Sequence, residues 1–258
     1  MEDFFSRSEA LLGAEAMEAL RNKRVILFGV GGVGSWAAEA LIRTGLVHLT
    51  VVDGDTVQPS NINRQLPATQ ATLGQPKVFA LRERLLAINP DADIVAIPEY
   101  YRADSPFNFQ LSTFHYLIDA IDSVPDKTHL LINASRVRAL KIFSSMGAAL
   151  RSDPTKVTTG ELMSVKGDAL AKAVRERMKK LGTHPNKKIR CVYSTEPSAS
   201  GRVRPASAVC PQATKQAAVK GSLMQVTAVF GCTLASLVIG HVRSNCRHAC
   251  PPAQSLPR

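Results

Sequence analysis

A chain of 258 residues, 45% of them hydrophobic, is long enough to bury a sizeable core as one domain or a domain with a subdomain. Its five cysteines (Cys191, Cys210, Cys232, Cys246 and Cys250) are an odd number with no Cys-x-x-Cys pair, which argues against a disulfide scaffold and a structural zinc site. The net charge of +11 is lopsided: residues 1–150 carry 14 Lys and Arg against 16 Asp and Glu (net −2), and residues 151–258 carry 18 against 5 (net +13). Either the second part meets a polyanion or its surface is merely well solvated.

The N-terminus, MEDFFSRSEA, is acidic and polar and does not read as a signal peptide, so a cytoplasmic setting is expected. Arg7 precedes a short helix over residues 8–20, with Leu11, Leu12, Ala16 and Leu20 as its apolar positions. An apolar strand over 25–28 runs into Gly29-Val30-Gly31-Gly32-Val33-Gly34. A helix follows with Trp36, Ala37, Ala40 and Leu41 on one side, and a second strand over 47–52 ends at Asp53. Strand, glycine turn, helix, strand and terminal acid form a Rossmann-type nucleotide site. Glycines let the backbone approach phosphates, the helix N-terminus adds partial positive charge, and Asp53 can accept hydrogen bonds from a ribose.

Residues 54–77 are a polar loop without a period of its own, and a loop of that length inside a compact domain is usually functional. It carries Asp55, Asn61, Arg64, Gln65 and Lys77, the last opening a helix over 78–88. Then come a strand at 94–97, a weak helix around 104–112 and a strand at 116–121 with Asp119 and Asp122 at its end. A helix at 126–138 and a strand at 140–145 complete a βαβ series. The expected class is therefore α/β, a Rossmann-like and mostly parallel sheet with helices on both faces.

Residues 151–258 read as a basic α+β C-terminal extension, within the same compact domain as the ATP-binding region 1–150. A short strand is expected near 161–165, and Asp168 caps a helix over 169–181 whose outer face is Lys172, Arg175, Glu176, Lys179 and Lys180. A basic loop over 182–190 precedes a strand at 191–195. A Pro/Ser/Arg-rich loop over 197–215 then leads to a long helix at 219–242 and a frayed tail. Residues 221–240 lack charge over a membrane-spanning length, yet Ser222, Gln225, Thr227, Thr233 and Ser236 favour a buried or interface helix over membrane contact. Cys191 and Cys232 sit in apolar contexts and read as core.

A dehydrogenase needs the glycine turn and Asp53 but has no use for an Asn/Arg/Lys cluster just beyond them. Nucleotidyl transfer does, because cations must hold the β- and γ-phosphates and a carboxylate must hold Mg²⁺. Arg64 and Lys77 suit the cations, Asn61 a hydrogen-bonding orienter and Asp122 the metal. Singly, each reads equally well as a solvated loop residue. Asp119, one residue of alternation short of the rim, stays outside the site.

The segments GVGGVGSW, VDGDxVxxSNINRQ, GxxK at 74–77 and IDAIDS at 118–123 resemble the ubiquitin-activating-enzyme (ThiF/MoeB-type) superfamily, which adenylates carboxylates with ATP. MGAALRSDPTKV at 146–157 and CVYSTEP at 191–197 resemble its tRNA threonylcarbamoyladenosine dehydratase branch. That resemblance implies ATP and Mg²⁺, a tRNA substrate modified beside the anticodon, and a homodimer in which Arg7 reaches the partner's ATP. It also implies Asp53 on the ribose, Asn61, Arg64 and Lys77 on the triphosphate, and Asp122 on Mg²⁺. The basic residues Lys172, Arg175, Lys179, Lys180, Lys187, Lys188, Arg190, Arg202 and Arg204 would then grip RNA backbone.

Two departures bear on this reading. Relatives that activate sulfur-carrier proteins carry two Cys-x-x-Cys pairs, absent here, although a sulfur-transfer partner stays open. Some dehydratases have a cysteine shortly before the last long helix; the matching position is Gln216, with Cys210 on the preceding loop as a substitute or an idle thiol. Carrier-protein adenylation, a non-catalytic nucleotide- or RNA-binding role and NAD-dependent redox chemistry remain the alternatives.

Overall fold

The computed structural model describes residues 4–104, 109–197 and 220–249. Short apolar segments pair into one seven-stranded sheet: β1 (Arg24–Phe28), β2 (His48–Val52), β3 (Asp93–Ile97), β4 (Tyr116–Asp119), β5 (Lys141–Ser145), β6 (Val157–Glu161) and β7 (Arg190–Ser194). Their order is β3-β2-β1-β4-β5-β7-β6, and every pairing is parallel except that of β6 with β7. The strand order reverses between β1 and β4, where an open α/β sheet leaves a crevice at its carboxyl edge.

Helices α1 (Ser6–Leu12), α2 (Ala14–Arg21), α3 (Gly34–Thr44), α4 (Lys77–Ile88), α5 (Val124–Arg136), α6 (Ala169–Lys180) and α7 (Met224–Ala249) connect and cover the strands. A period of two in the strands feeds two cores. Val25 and Leu27 face one core with Leu49, Val51 and Ile118, under α3, α4 and α7. Ile26 and Phe28 face the other with Val52 and Leu117, under α5 and α6.

α7 lies against α3 and buries Val226, Phe230, Leu234, Val238 and Val242, each worth roughly 1.5–3 kcal/mol as removal from water. A glycine at 231 lets the two helices touch, since a Cβ there would stand 2.6 Å from the Trp36 Cβ. The segment Met224–Cys246 is long and apolar enough to cross a membrane, with mean hydropathy 1.6, but here its buried face belongs to the core.

Several elements differ from the expectation. The first helix breaks at Gly13, whose φ of 88° interrupts it. Around 104–112 the described residues hold only a 3₁₀ turn, Leu111–Thr113. β4 stops at Asp119, so Asp122 sits in the following loop rather than on the strand, and Pro125 starts α5 two residues early. The strand expected at 161–165 is instead β6: its β-branched residues Val157, Thr158 and Thr159 form the edge, while Leu162 and Val165 turn down into the core. α7 starts five residues late and runs on past residue 242 to Ala249. Cys191 is buried as expected, but Cys232 is exposed. The loop residues Arg202, Arg204, Cys210 and Gln216 lie outside the described residues.

Candidate active site

The turn after β1 is shaped by backbone contacts that exclude side chains. Gly29 adopts φ 90° and a Cβ on Gly34 would overlap the Gly29 carbonyl oxygen, so the chain can enter α3 only with glycine there. The amide of Val30 donates to Asp53 Oδ2 at 2.6 Å and that of Asp55 to Oδ1 at 2.8 Å. Burial pushes the Asp53 carboxyl upward, against the opposing pull of Lys77 and these two amides.

Gly29, Gly31 and Gly32 open onto a cleft of about 740 Å³ that runs along the carboxyl edge of β2, β1, β4 and β5. Asp53, Asp55, Asn61, Arg64, Gln65, Lys77 and Asp122 all line it. Gly34 does not; it seats the helix behind the turn.

Each polar residue is placed by a local structural cause. Asn61 ends a 3₁₀ turn, Pro59–Asn61, and its Oδ1 accepts from the Gln58 amide at 3.0 Å. Arg64 Nη1 donates to the Ser60 carbonyl at 2.9 Å and to Asn63 Oδ1 at 2.8 Å. Lys77, the first residue of α4, is 5% exposed and forms an ion pair with Asp55 Oδ2 at 2.6 Å. Tyr100 Oη donates to Asp55 Oδ1 at 2.6 Å. Burial pushes the Asp55 carboxyl up, but these two donors and the Lys77 charge outweigh it and hold it below the usual carboxylate range. Gln65 is buried, and its Oε1 has no partner among the described residues.

Beneath the cleft lies a fully buried ion pair, Lys127 Nζ to Asp119 Oδ2 at 2.7 Å. Asp119 also accepts from Ser144 Oγ at 2.6 Å and from the Ile121 amide at 3.1 Å, while Lys127 donates to the Ile121 carbonyl at 2.9 Å. The loop bearing Asp122 is thus tied down at both polar groups of Ile121. No cluster of three or more His, Cys, Asp or Glu residues suited to a metal exists among the described residues; Asp122 shares the cleft with Asp126.

Arg7, exposed on α1, does not line this cleft. The sequence reading missed Tyr100 and Arg102 after β3, and the wall formed by residues 145–151 with Asp168, Lys220, Ser222 and Thr227. Tyr100 had no periodic signal. The wall comes from segments distant in sequence, joined where the Gly147 amide donates to Asp168 and the Leu150 amide to the Gly221 carbonyl. Among the proposed RNA-gripping cations, Lys187 is corrected: its Nζ donates to the carbonyls of Val137 and Leu140, closing the end of α5. Arg175 donates to the Leu162 carbonyl at 3.0 Å and Arg190 to Thr159 Oγ1 at 3.0 Å, whereas Lys172, Lys179, Lys180 and Lys188 are exposed.

Residues 5–253 match the ThiF family model. The tRNA threonylcarbamoyladenosine dehydratase of Bacillus subtilis is 39% identical over 192 residues, 74% of each chain. The crystal structure of Escherichia coli tRNA N6-threonylcarbamoyladenosine dehydratase in complex with ATP superposes with a TM-score of 0.80 at 30% identity, covering 95% of both chains. The molybdopterin-synthase adenylyltransferase of Salmonella typhimurium is also 39% identical, but over 140 residues and 54% of each chain.

Proposed function

The chain belongs to the ThiF family, and from that premise we propose that it cyclises N6-threonylcarbamoyladenosine in tRNA with ATP, through an acyl adenylate. One observation carries the reading. The nucleotide turn, two cations and a rim carboxylate converge in a single cleft, in a chain similar over 95% of its length to an ATP-bound dehydratase.

The cleft suits ATP on its own chemistry. Asp53 stands at the end of β2 to meet a ribose, the glycine turn gives phosphates close approach, and the buried Gln65 Oε1 awaits a donor. Arg64 and Lys77 would neutralise the triphosphate, with Lys77 shared between it and Asp55, and Asn61 orienting it. Asp122 would hold Mg²⁺, which supplies charge neutralisation at the α-phosphate. The threonyl carboxylate attacks that phosphorus and pyrophosphate leaves. The ureido nitrogen of the same side chain then attacks the acyl carbon, AMP leaves, and the nucleoside has lost one water. Positioning and charge neutralisation suffice, without a covalent bond to the protein.

Exposed lysines on α6 and the following loop would meet tRNA phosphates, in a cytoplasmic homodimer whose Arg7 completes the partner's site. Residues 1–150 would then supply the ATP chemistry and 151–258 most of the RNA contact. Carrier-protein adenylation is disfavoured by the absent cysteine pairs. The test is mass spectrometry of nucleosides from modified tRNA incubated with ATP and Mg²⁺: loss of one water with AMP release is expected, and unchanged nucleosides would overturn the reading.

A further inference from the structure

The β5 side of the cleft holds one group that none of the assigned ATP roles uses. Arg151 is 4% exposed and lines the cleft. Its Nη2 reaches the Gly167 carbonyl only at 3.4 Å, and its Nε and Nη1 have no hydrogen-bond partner among the described residues. Buried donors without partners are rare, and a guanidinium so placed is short of an anion. The Asp153 and Ser152 amides, helped by the Arg151 charge, hold the Glu196 carboxyl below the usual range, but neither Glu196 nor Asp168 is hydrogen-bonded to the guanidinium. Asp168 accepts from the Ala171 and Gly147 amides, and Glu196 accepts from the Ser152 and Asp153 amides. The preceding residue, Leu150, is held at φ 61°, a conformation uncommon for a side chain of its kind.

We propose that Arg151 is the subsite for the carboxylate of the modified nucleoside. The inference rests on the dehydratase reading and adds to it the group that selects the substrate. Strand order places it. Asp53 follows β2, the glycine turn follows β1, the Asp122 loop follows β4, and the segment carrying Arg151 follows β5. With neighbouring strands about 4.8 Å apart, that segment starts roughly 10 Å from the glycine turn, on the side away from the ribose acid. Lys77 is taken by Asp55 on the ribose side and Arg64 sits against Gly32 at the phosphate turn, which leaves Arg151, on the segment after β5, for the acyl group. A planar guanidinium can hold one carboxylate oxygen while the other faces the α-phosphorus. Lys220, exposed on the same wall, adds positive charge at the entrance.

The test compares binding of tRNA with and without the threonylcarbamoyl group, alongside ATP titrations, in the wild type and in Arg151→Ala. The wild type should prefer modified tRNA. Arg151→Ala should lose that preference by about 10- to 100-fold, the usual worth of a charge-assisted hydrogen bond, with ATP affinity unchanged. Arg151→Lys, which keeps the charge without the fork, should recover part of it, and it serves as the second variant if the alanine form does not fold. A preference retained in Arg151→Ala overturns the proposal, and so does a parallel loss of ATP affinity, which would assign the group to phosphate. A wild type that leaves modified tRNA unchanged removes the dehydratase reading and this one together. A converting wild type beside an unaffected variant removes this one alone.

Discussion

Before residue 150, the cations around the cleft are held by specific partners: Lys77 by Asp55, Arg64 by Ser60 and Asn63, Lys127 by Asp119 and Ile121. After it, Lys172, Lys179, Lys180 and Lys188 stand exposed on α6 and the following loop. The two sets differ in what they can do. A cation fixed to within a few tenths of an ångström can stabilise charge at one point of a transition state. Exposed surface cations create a field that attracts a polyanion and weakens with salt. The comparison teaches that net charge alone, +13 in one part against −2 in the other, says where a polyanion could be held and nothing about where chemistry occurs.

The largest test of the fixed set is Lys127→Met. Leaving Asp119 buried without its cation should cost about 3–5 kcal/mol in chemical denaturation. A loss below about 1 kcal/mol would mean that the pair contributes little beyond a hydrophobic replacement. Next in size are Arg64→Ala and Lys77→Ala, each expected to lower ATP-dependent AMP release by about 10²-fold with tRNA affinity unchanged. Near-normal release from either variant would remove it from the phosphate grip.

The exposed set calls for a different measurement. Charge reversal of Lys179, Lys180 and Lys188 should weaken tRNA binding and flatten its log–log salt dependence by roughly two to three units, leaving ATP affinity intact. Lys187 is left out because its ammonium already closes α5. An unaltered slope would move the RNA surface off α6. The smallest effect expected is a partial one: mixing Arg7→Ala with Lys77→Ala should restore some activity, through heterodimers with one site carrying both native residues. No recovery after confirmed subunit exchange would place Arg7 outside the site.

What the sequence made legible was what lies close together along the chain. Gly29, Gly31, Gly32, Asp53, Asp55, Asn61, Arg64, Gln65 and Lys77 all fall within about fifty positions, and they do line one cleft. Unbroken apolar runs in β1, β2 and β4 foretold the parallel sheet because both faces are buried there. β6 was misplaced because an edge strand of threonines lacks such an apolar run and the apolar pair beside it is a buried turn. Arg151 passed unnoticed for a related reason. As one basic residue at the start of a basic stretch it has no signature, and its isolation is apparent only once Gly147, Gly167 and Asp168 surround it.

The contact between α3 and α7 has a consequence for the order in which the molecule can be assembled. α3 opens at residue 34 and α7 at residue 224, so a growing chain exposes the apolar side of its nucleotide-binding helix through nearly all of its synthesis. The sheet strands of residues 24–52 are available early, but the helix that seals them arrives last, and contacts so distant in sequence are slow to form. Nascent or truncated chains ending before residue 224 should therefore be sticky, protease-sensitive intermediates that gain nucleotide affinity only when α7 docks. Limited proteolysis of such a truncation, with and without a separate peptide spanning 220–249, would reveal it; equal resistance in both would mean that α3 is sealed by other means.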